Sequence, residues 1–204
     1  MGAAVALQAV AVAAVLASVQ ARYEQTKDLR AEFSQLTSFQ GFTTLAISRG
    51  QFALKRPGQF RWDYTEPHRQ QIIVSGETVL YYVPEHRQVI KTSLAREADT
   101  QVPIRLLAGA ARLDRDFEVR PLAGAGSPYH LRLLPRSRSA MQFEVQVDPA
   151  TSYITEVTLR AATGATSTFQ FTRFQPNRGL TDALFSLAVP DGVEWIELPP
   201  PDVQ

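Results

Sequence analysis

The chain of 204 residues has no cysteine. That excludes a disulfide framework, a zinc–thiolate site, a thiol nucleophile and a lipidated cysteine within this sequence. It leaves the redox compartment open, because a cysteine-free protein folds in either. Lysine is scarce: Lys27, Lys55 and Lys91 are the only ones, so arginine supplies the rest of the 21 cations. An excess of one sign is also lacking, since 20 acidic residues leave a net charge of +1. A dedicated nucleic-acid binder carries a strong basic excess, so that class is excluded. The usual catalytic signatures are missing too. There is no G-x-S-x-G elbow, no phosphate-binding loop and no dinucleotide fingerprint. His68, His86 and His130 lie far apart in sequence and form no metal-ligand pair. The sequence therefore predicts no enzyme, no metal and no cofactor.

Charge is absent altogether from residues 1–21, which hold nine alanines and five valines. Gln8, Ser18, Gln20 and the many alanines make this stretch a poor transmembrane helix. A complete secretory signal would need a basic segment ahead of its apolar core, and none precedes this one. A shortened export signal running into a mature helix stays open. The remaining reading is amphipathic: Val12, Val15, Leu16, Val19 and Tyr23 recur at helical spacing on one face. The spacing predicts a helix over residues 10–27, preceded by a frayed lead over residues 1–10.

What is plentiful is apolar content, 45% of residues, enough for a sizeable core in one domain spanning residues 1–204. Beyond the helix the period changes from 3.6 to 2. Leu29, Ala31 and Phe33 alternate with polar neighbours, and short runs of the same kind recur at Phe52, Trp62, Ile72, Leu80, Val89, Val119, Leu131, Val145, Val157 and Phe169. Turn residues punctuate them, which marks an all-β sandwich or barrel of about eleven antiparallel strands. Phe143, Val145 and Val147 point one way and Glu144 and Gln146 the other, as in a sheet with one wet face. Residues 102–109 break the pattern and read as a short helix, with Pro103 at its first position and Gly109 at its stop. A last apolar patch lies at Leu184-Phe185 and at Val193 to Ile196, and the tail over residues 198–204 reads as extended and loose.

The most informative stretch is residues 50–64. Phe52, Leu54 and Arg56 fall on one face of a first strand, and Phe60, Trp62 and Tyr64 on one face of the next. Arg56 then prolongs an apolar row, where a guanidinium needs partners; alternatively the strand has ended and Arg56 meets water.

Here the sequence resembles the LolA family, periplasmic carriers of outer-membrane lipoproteins in Gram-negative bacteria. The residues that carry the resemblance are Leu29-Arg30-Ala31-Glu32-Phe33-Ser34-Gln35 and the Lys55-Arg56-Pro57-x-x-Phe60-x-Trp62 core. Glu66-Pro67, Ile73 to Tyr82 and Gln88-Val89 add to them. Weaker matches are Pro103-Ile104-Arg105-Leu106-Leu107, Leu133-Leu134-Pro135, and Leu184-Phe185 with Pro190-Asp191-Gly192-Val193. The usual Ser-Asp-Gly turn is Ser75-Gly76-Glu77 here, and the usual Trp/Tyr pair is Tyr81-Tyr82.

The resemblance implies an unclosed antiparallel β half-barrel with helices over its concave face. It implies a monomeric periplasmic carrier whose cavity takes lipoprotein acyl chains. Its partners would be an ATP-driven release complex in the inner membrane and an acceptor lipoprotein at the outer membrane. By the same resemblance Arg56 latches the helical lid near residues 102–109, and Phe60 serves cargo transfer. Phe33, Phe52, Leu54, Trp62, Val79, Tyr81, Leu106 and Leu107 would line the cavity. Rival readings are a LolB-like acceptor that has lost its lipidated cysteine, a lipid-sensing half-barrel regulator, and a lipocalin-like carrier of a small molecule.

Overall fold

The computed structural model describes residues 2–41, 45–94, 113–122, 129–136, 141–161 and 163–198. A 24-residue helix, α1 (Gly2–Gln25), opens the chain. Six strands follow: β1 (Asp28–Ser38), β2 (Ala46–Lys55), β3 (Gln59–Glu66), β4 (Gln70–Ser75), β5 (Thr78–Val83) and β6 (Gln88–Ser93). A single helical turn at Leu113–Asp116 leads into β7 (Phe117–Pro121), β8 (His130–Pro135), β9 (Gln142–Val147), β10 (Ile154–Arg160) and β11 (Thr166–Pro176). A short 3-10 turn (Asp182–Phe185) and β12 (Glu194–Glu197) end the fold.

All twelve strands belong to one sheet, in the order β12-β6-β5-β4-β3-β2-β1-β11-β10-β9-β8-β7. Its end strands are not neighbours, so the sheet is unclosed. Three departures from the sequence reading stand out. The helix starts at Gly2 rather than near residue 10, because an alanine-rich run has the best intrinsic helix propensity even without an apolar stripe. The described residues form twelve strands where about eleven were expected: the patch before the tail is β12. And β12 pairs with β6 in parallel, Glu194 opposite Gln88 and Trp195 opposite Val89, beside an antiparallel succession from β2 to β6. The predicted helix over residues 102–109 lies outside the described residues. Among those residues no helix is long and apolar enough to cross a membrane.

The chain forms two compact units. The first holds α1, the tip of the β1–β2 hairpin and β7 to β11 up to Phe171. Here α1 buries the predicted stripe of Val12, Val15, Val19 and Tyr23, with Leu16 half-buried at its margin. The ring of Tyr23 meets Tyr153 edge-on at 5.6 Å, and its hydroxyl oxygen accepts the Ile154 N–H at 3.4 Å. Burial pushes the Tyr23 hydroxyl pKa up, so it stays neutral. Arg22 stacks over Tyr153 at 5.5 Å and donates from Nε to the Thr151 carbonyl at 2.7 Å. One sheet face is apolar and buried, with Leu131, Leu133, Phe143, Val145 and Val157 in register across β8, β9 and β10. The other face is polar: Glu144 accepts from Arg132 at 2.9 Å and from Arg160 at 3.4 Å, and Thr158 pairs with Thr168 at 2.9 Å.

The second unit holds most of β1 and β2, then β3 to β6, the end of β11, the 3-10 turn and β12. Asp28 clips its loop. The buried carboxylate accepts the N–H groups of Arg178 at 2.7 Å and Gly179 at 3.0 Å. The Asn177 side-chain oxygen accepts the Lys27 N–H at 2.8 Å. Antiparallel hairpins build the rest, with Gly76 supplying the positive φ (+57°) that the tight β4–β5 turn requires.

Candidate functional site: an aromatic sheet face

Strand residues of equal parity share a face, so the register of the second unit fixes which side chains meet. One row runs Phe52, Trp62, Ile72, Tyr81, Ile90 across β2 to β6. The adjacent row runs Leu54, Phe60, Val74, Val79, Thr92. Six of the predicted lining and transfer residues, Phe52, Leu54, Phe60, Trp62, Val79 and Tyr81, therefore lie on one face. Phe33 joins them from β1, edge-on to Trp62 at 6.3 Å and to Tyr64 at 5.0 Å, while Phe52 and Trp62 sit 4.4 Å apart. Such offset and edge-on pairs add to the burial of the rings. Gly50 makes this close approach possible, because a Cβ there would strike the Asp63 carbonyl and the Phe33 ring. Leu106 and Leu107 lie outside the described residues.

The face is not wholly apolar. The indole Nε1 of Trp62 and the Oγ1 of Thr92 are buried with no hydrogen-bond partner among the described residues. Burial pushes the Tyr64 hydroxyl pKa up to about 12, so it is a neutral group at any ordinary pH. Arg56 follows Leu54 at the strand end, half-buried, with its Nε shielded from solvent and its backbone N–H donated to the Lys27 carbonyl at 2.9 Å. It does not project freely into water, and the lid segment expected to receive it lies outside the described residues.

The opposite face of the same strands was not anticipated. Ala53, Ile73, Tyr82 and Val89 are buried there, so this part of the sheet has two covered faces rather than one wet one. The signal was in the sequence as adjacent apolar pairs, Ile72-Ile73 and Tyr81-Tyr82, since a doubly covered strand reads as a continuous run. Arg61 ties this face together, bonding Asp63 at 2.7 Å and donating to the Leu184 carbonyl at 2.9 Å. Lys55 pairs with Asp182 at 2.6 Å, and this interaction holds the exposed Asp182 carboxyl below its usual pKa. A cavity of about 180 Å³ on this side is lined by Arg30, Glu32, Arg61, Asp63 and Arg173. Its charges suit it poorly to hydrocarbon.

The unclosed sheet thus gathers seven bulky apolar side chains on one face. Comparison with known proteins gives the family. The profile of the outer membrane lipoprotein carrier protein LolA matches residues 24–188. The chain belongs to this family. An outer-membrane lipoprotein carrier protein of Bordetella avium is 30% identical over 200 residues, covering 96% of this chain and 95% of that one. One from Azotobacter vinelandii is 30% identical over 175 residues, 85% of this chain and 84% of the relative. A solved structure of an uncharacterized conserved protein from Thermus thermophilus shares the fold. Its TM-score is 0.57 at 11% identity, over 90% of this chain and 97% of that chain.

Proposed function

We propose that this protein carries lipoproteins through the periplasm by sheltering their acyl chains. It would act as a monomer, loaded by an ATP-driven release complex of the inner membrane and unloaded by an acceptor lipoprotein at the outer membrane. The observation that carries this reading is the shared face of Phe33, Phe52, Leu54, Phe60, Trp62, Val79 and Tyr81. No residue is assigned a catalytic role.

The energetics require a moderated grip. Burying an acyl chain gains about 0.8 kcal/mol per CH₂, so a chain of roughly 15 carbons gains on the order of 12 kcal/mol. Several chains held at full strength would never leave. A lid that closes over the empty face competes with cargo and lowers its net affinity. On this reading Arg56, which follows the Phe52–Leu54 row, latches such a lid, and Phe60, in the neighbouring row, hands cargo on.

The test is expression in the periplasm beside two forms of one lipoprotein, acylated and with the lipidated cysteine changed to serine. Mass spectrometry of the purified complex should find the acylated form alone. Equal recovery of the two forms, or recovery of only free lipid, would overturn the proposal.

A further inference from the structure

Trp62 combines three facts. It is 6% exposed. Its ring is packed by Phe33 and Phe52 near the centre of the aromatic face. Its Nε1–H reaches no acceptor among the described residues. A buried indole N–H normally finds a partner, and leaving one unmade costs as much as a lost hydrogen bond. The sheet offers no relief, because β3 is paired along its length with β2 on one side and β4 on the other. Backbone carbonyls there are consumed by the ladders. Packing alone does not account for the residue, since phenylalanine would supply an aromatic ring without the orphaned donor.

We propose, resting on the carrier reading above, that the Trp62 Nε1–H is held for the carbonyl oxygen of an ester- or amide-linked acyl chain. Hydrocarbon has no acceptor; the carbonyl at the head of the chain is the one it brings. Donation to it satisfies the indole and fixes how far the chain enters, so that the methylenes lie along the Phe33, Phe52 and Phe60 side of the face. The protein then reads the linkage as well as the grease, and prefers acyl ligands to alkyl ones of equal length. Thr92 is a second buried hydroxyl on the same face, but it lies three strands away from Trp62. At about 4.8 Å per strand, that is roughly 14 Å, too far for both to hold one carbonyl.

The experiment compares two lipopeptides whose N-terminal cysteine carries a glyceryl thioether bearing either two palmitoyl esters or two hexadecyl ethers. The expected result is diester binding roughly tenfold tighter than diether binding, as one hydrogen bond to an otherwise orphaned donor would give. In Trp62→Phe the two affinities should converge. Equal affinity of the native protein for both lipopeptides overturns the inference and leaves the carrier reading standing; binding of neither sinks both. A second measurement leaves Trp62 untouched. Trp195, 53% exposed, is the other tryptophan of the chain. In Trp195→Phe, labelled with nitrogen-15 at the indole, the single Nε1–H resonance should move downfield with the diester and not with the diether. Equal movement with both again overturns the inference. Dipalmitoylglycerol separates the sources of the carbonyl. A Trp62-dependent ester preference that it shares assigns recognition to acylglycerols in general, and one it lacks assigns it to the lipoprotein anchor.

Discussion

The two units solve the same problem differently. The helix-bearing unit has one buried face filled largely by aliphatic side chains, closed by α1, and one polar face of ion pairs and hydroxyl pairs on which the Arg132 Nε has no partner among the described residues. Its half-buried carboxylate, Glu144, has both arginines it needs. The second unit is covered on both faces, crowds aromatic rings on one of them, and leaves Trp62 and Thr92 donors unmet among the described residues. A buried apolar face built only for stability resembles that of the first, because orphaned polar groups within it cost free energy without return. On the proposed reading the second unit holds the ligand and the first contributes stability.

Substitutions can break that contrast or sharpen it. The largest effect is expected from Phe143→Ala. Phe143 is fully buried and meets Phe117 edge-on at 6.2 Å, so truncation should cost about 3–5 kcal/mol in urea unfolding. Lipopeptide affinity of the folded fraction should stay the same; a matched loss of affinity would erase the division of labour. Asp28→Ala comes next. It removes a carboxylate that accepts two backbone N–H groups, and about 2 kcal/mol of stability should go with it. Arg56→Leu should take up lipoprotein normally and deliver it to acceptor membranes roughly tenfold more slowly, a change of about 1.4 kcal/mol. Unchanged transfer rates in that variant would discard the latch.

Smallest is Glu144→Gln, expected below about 1 kcal/mol at neutral pH because its arginines are half-exposed. Burial pushes the Glu144 carboxyl up, but hydrogen bonds and charge from Arg132 and Arg160 outweigh it and leave the pKa below the usual value. Its contribution is therefore present above the unfolded-state pKa, about 4.3, and is lost as pH falls through the lower folded value. Unfolding curves of the native and Gln proteins should converge in acid; a gap that widens there would contradict the assigned sign.

Much of this was readable from residue order, and the failures have physical causes. The hairpins from β2 to β6 were legible because period-2 alternation and turn residues such as Gly76 are local signals. Parity alone put Phe52 with Leu54 and Phe60 with Trp62; that the two pairs share one face took the register. β12 was not legible as a strand, since its partner β6 lies about a hundred residues earlier and parallel pairing leaves no turn between them. Nothing in the residue order singled out Asp28, because its two N–H donors come from a loop some 150 positions away. Nor could the sequence show that the Trp62 donor lacks an acceptor, a fact that depends on β3 being paired on both sides. The early helix start was hidden by a rule that looks for an apolar stripe, whereas alanine propensity needs none.

β12 has a consequence for what the protein refuses. An open strand edge invites a passing chain to zip onto it. The outer edge of β6 is already occupied, residue for residue, by Glu194 to Glu197. The strand that occupies it is only four residues long, carries glutamate at both ends, and is followed in sequence by Pro199-Pro200-Pro201. It is too short, too charged and too quickly ended by proline to recruit a neighbour in its turn. On this side of the sheet, the described strands leave a passing backbone little to copy.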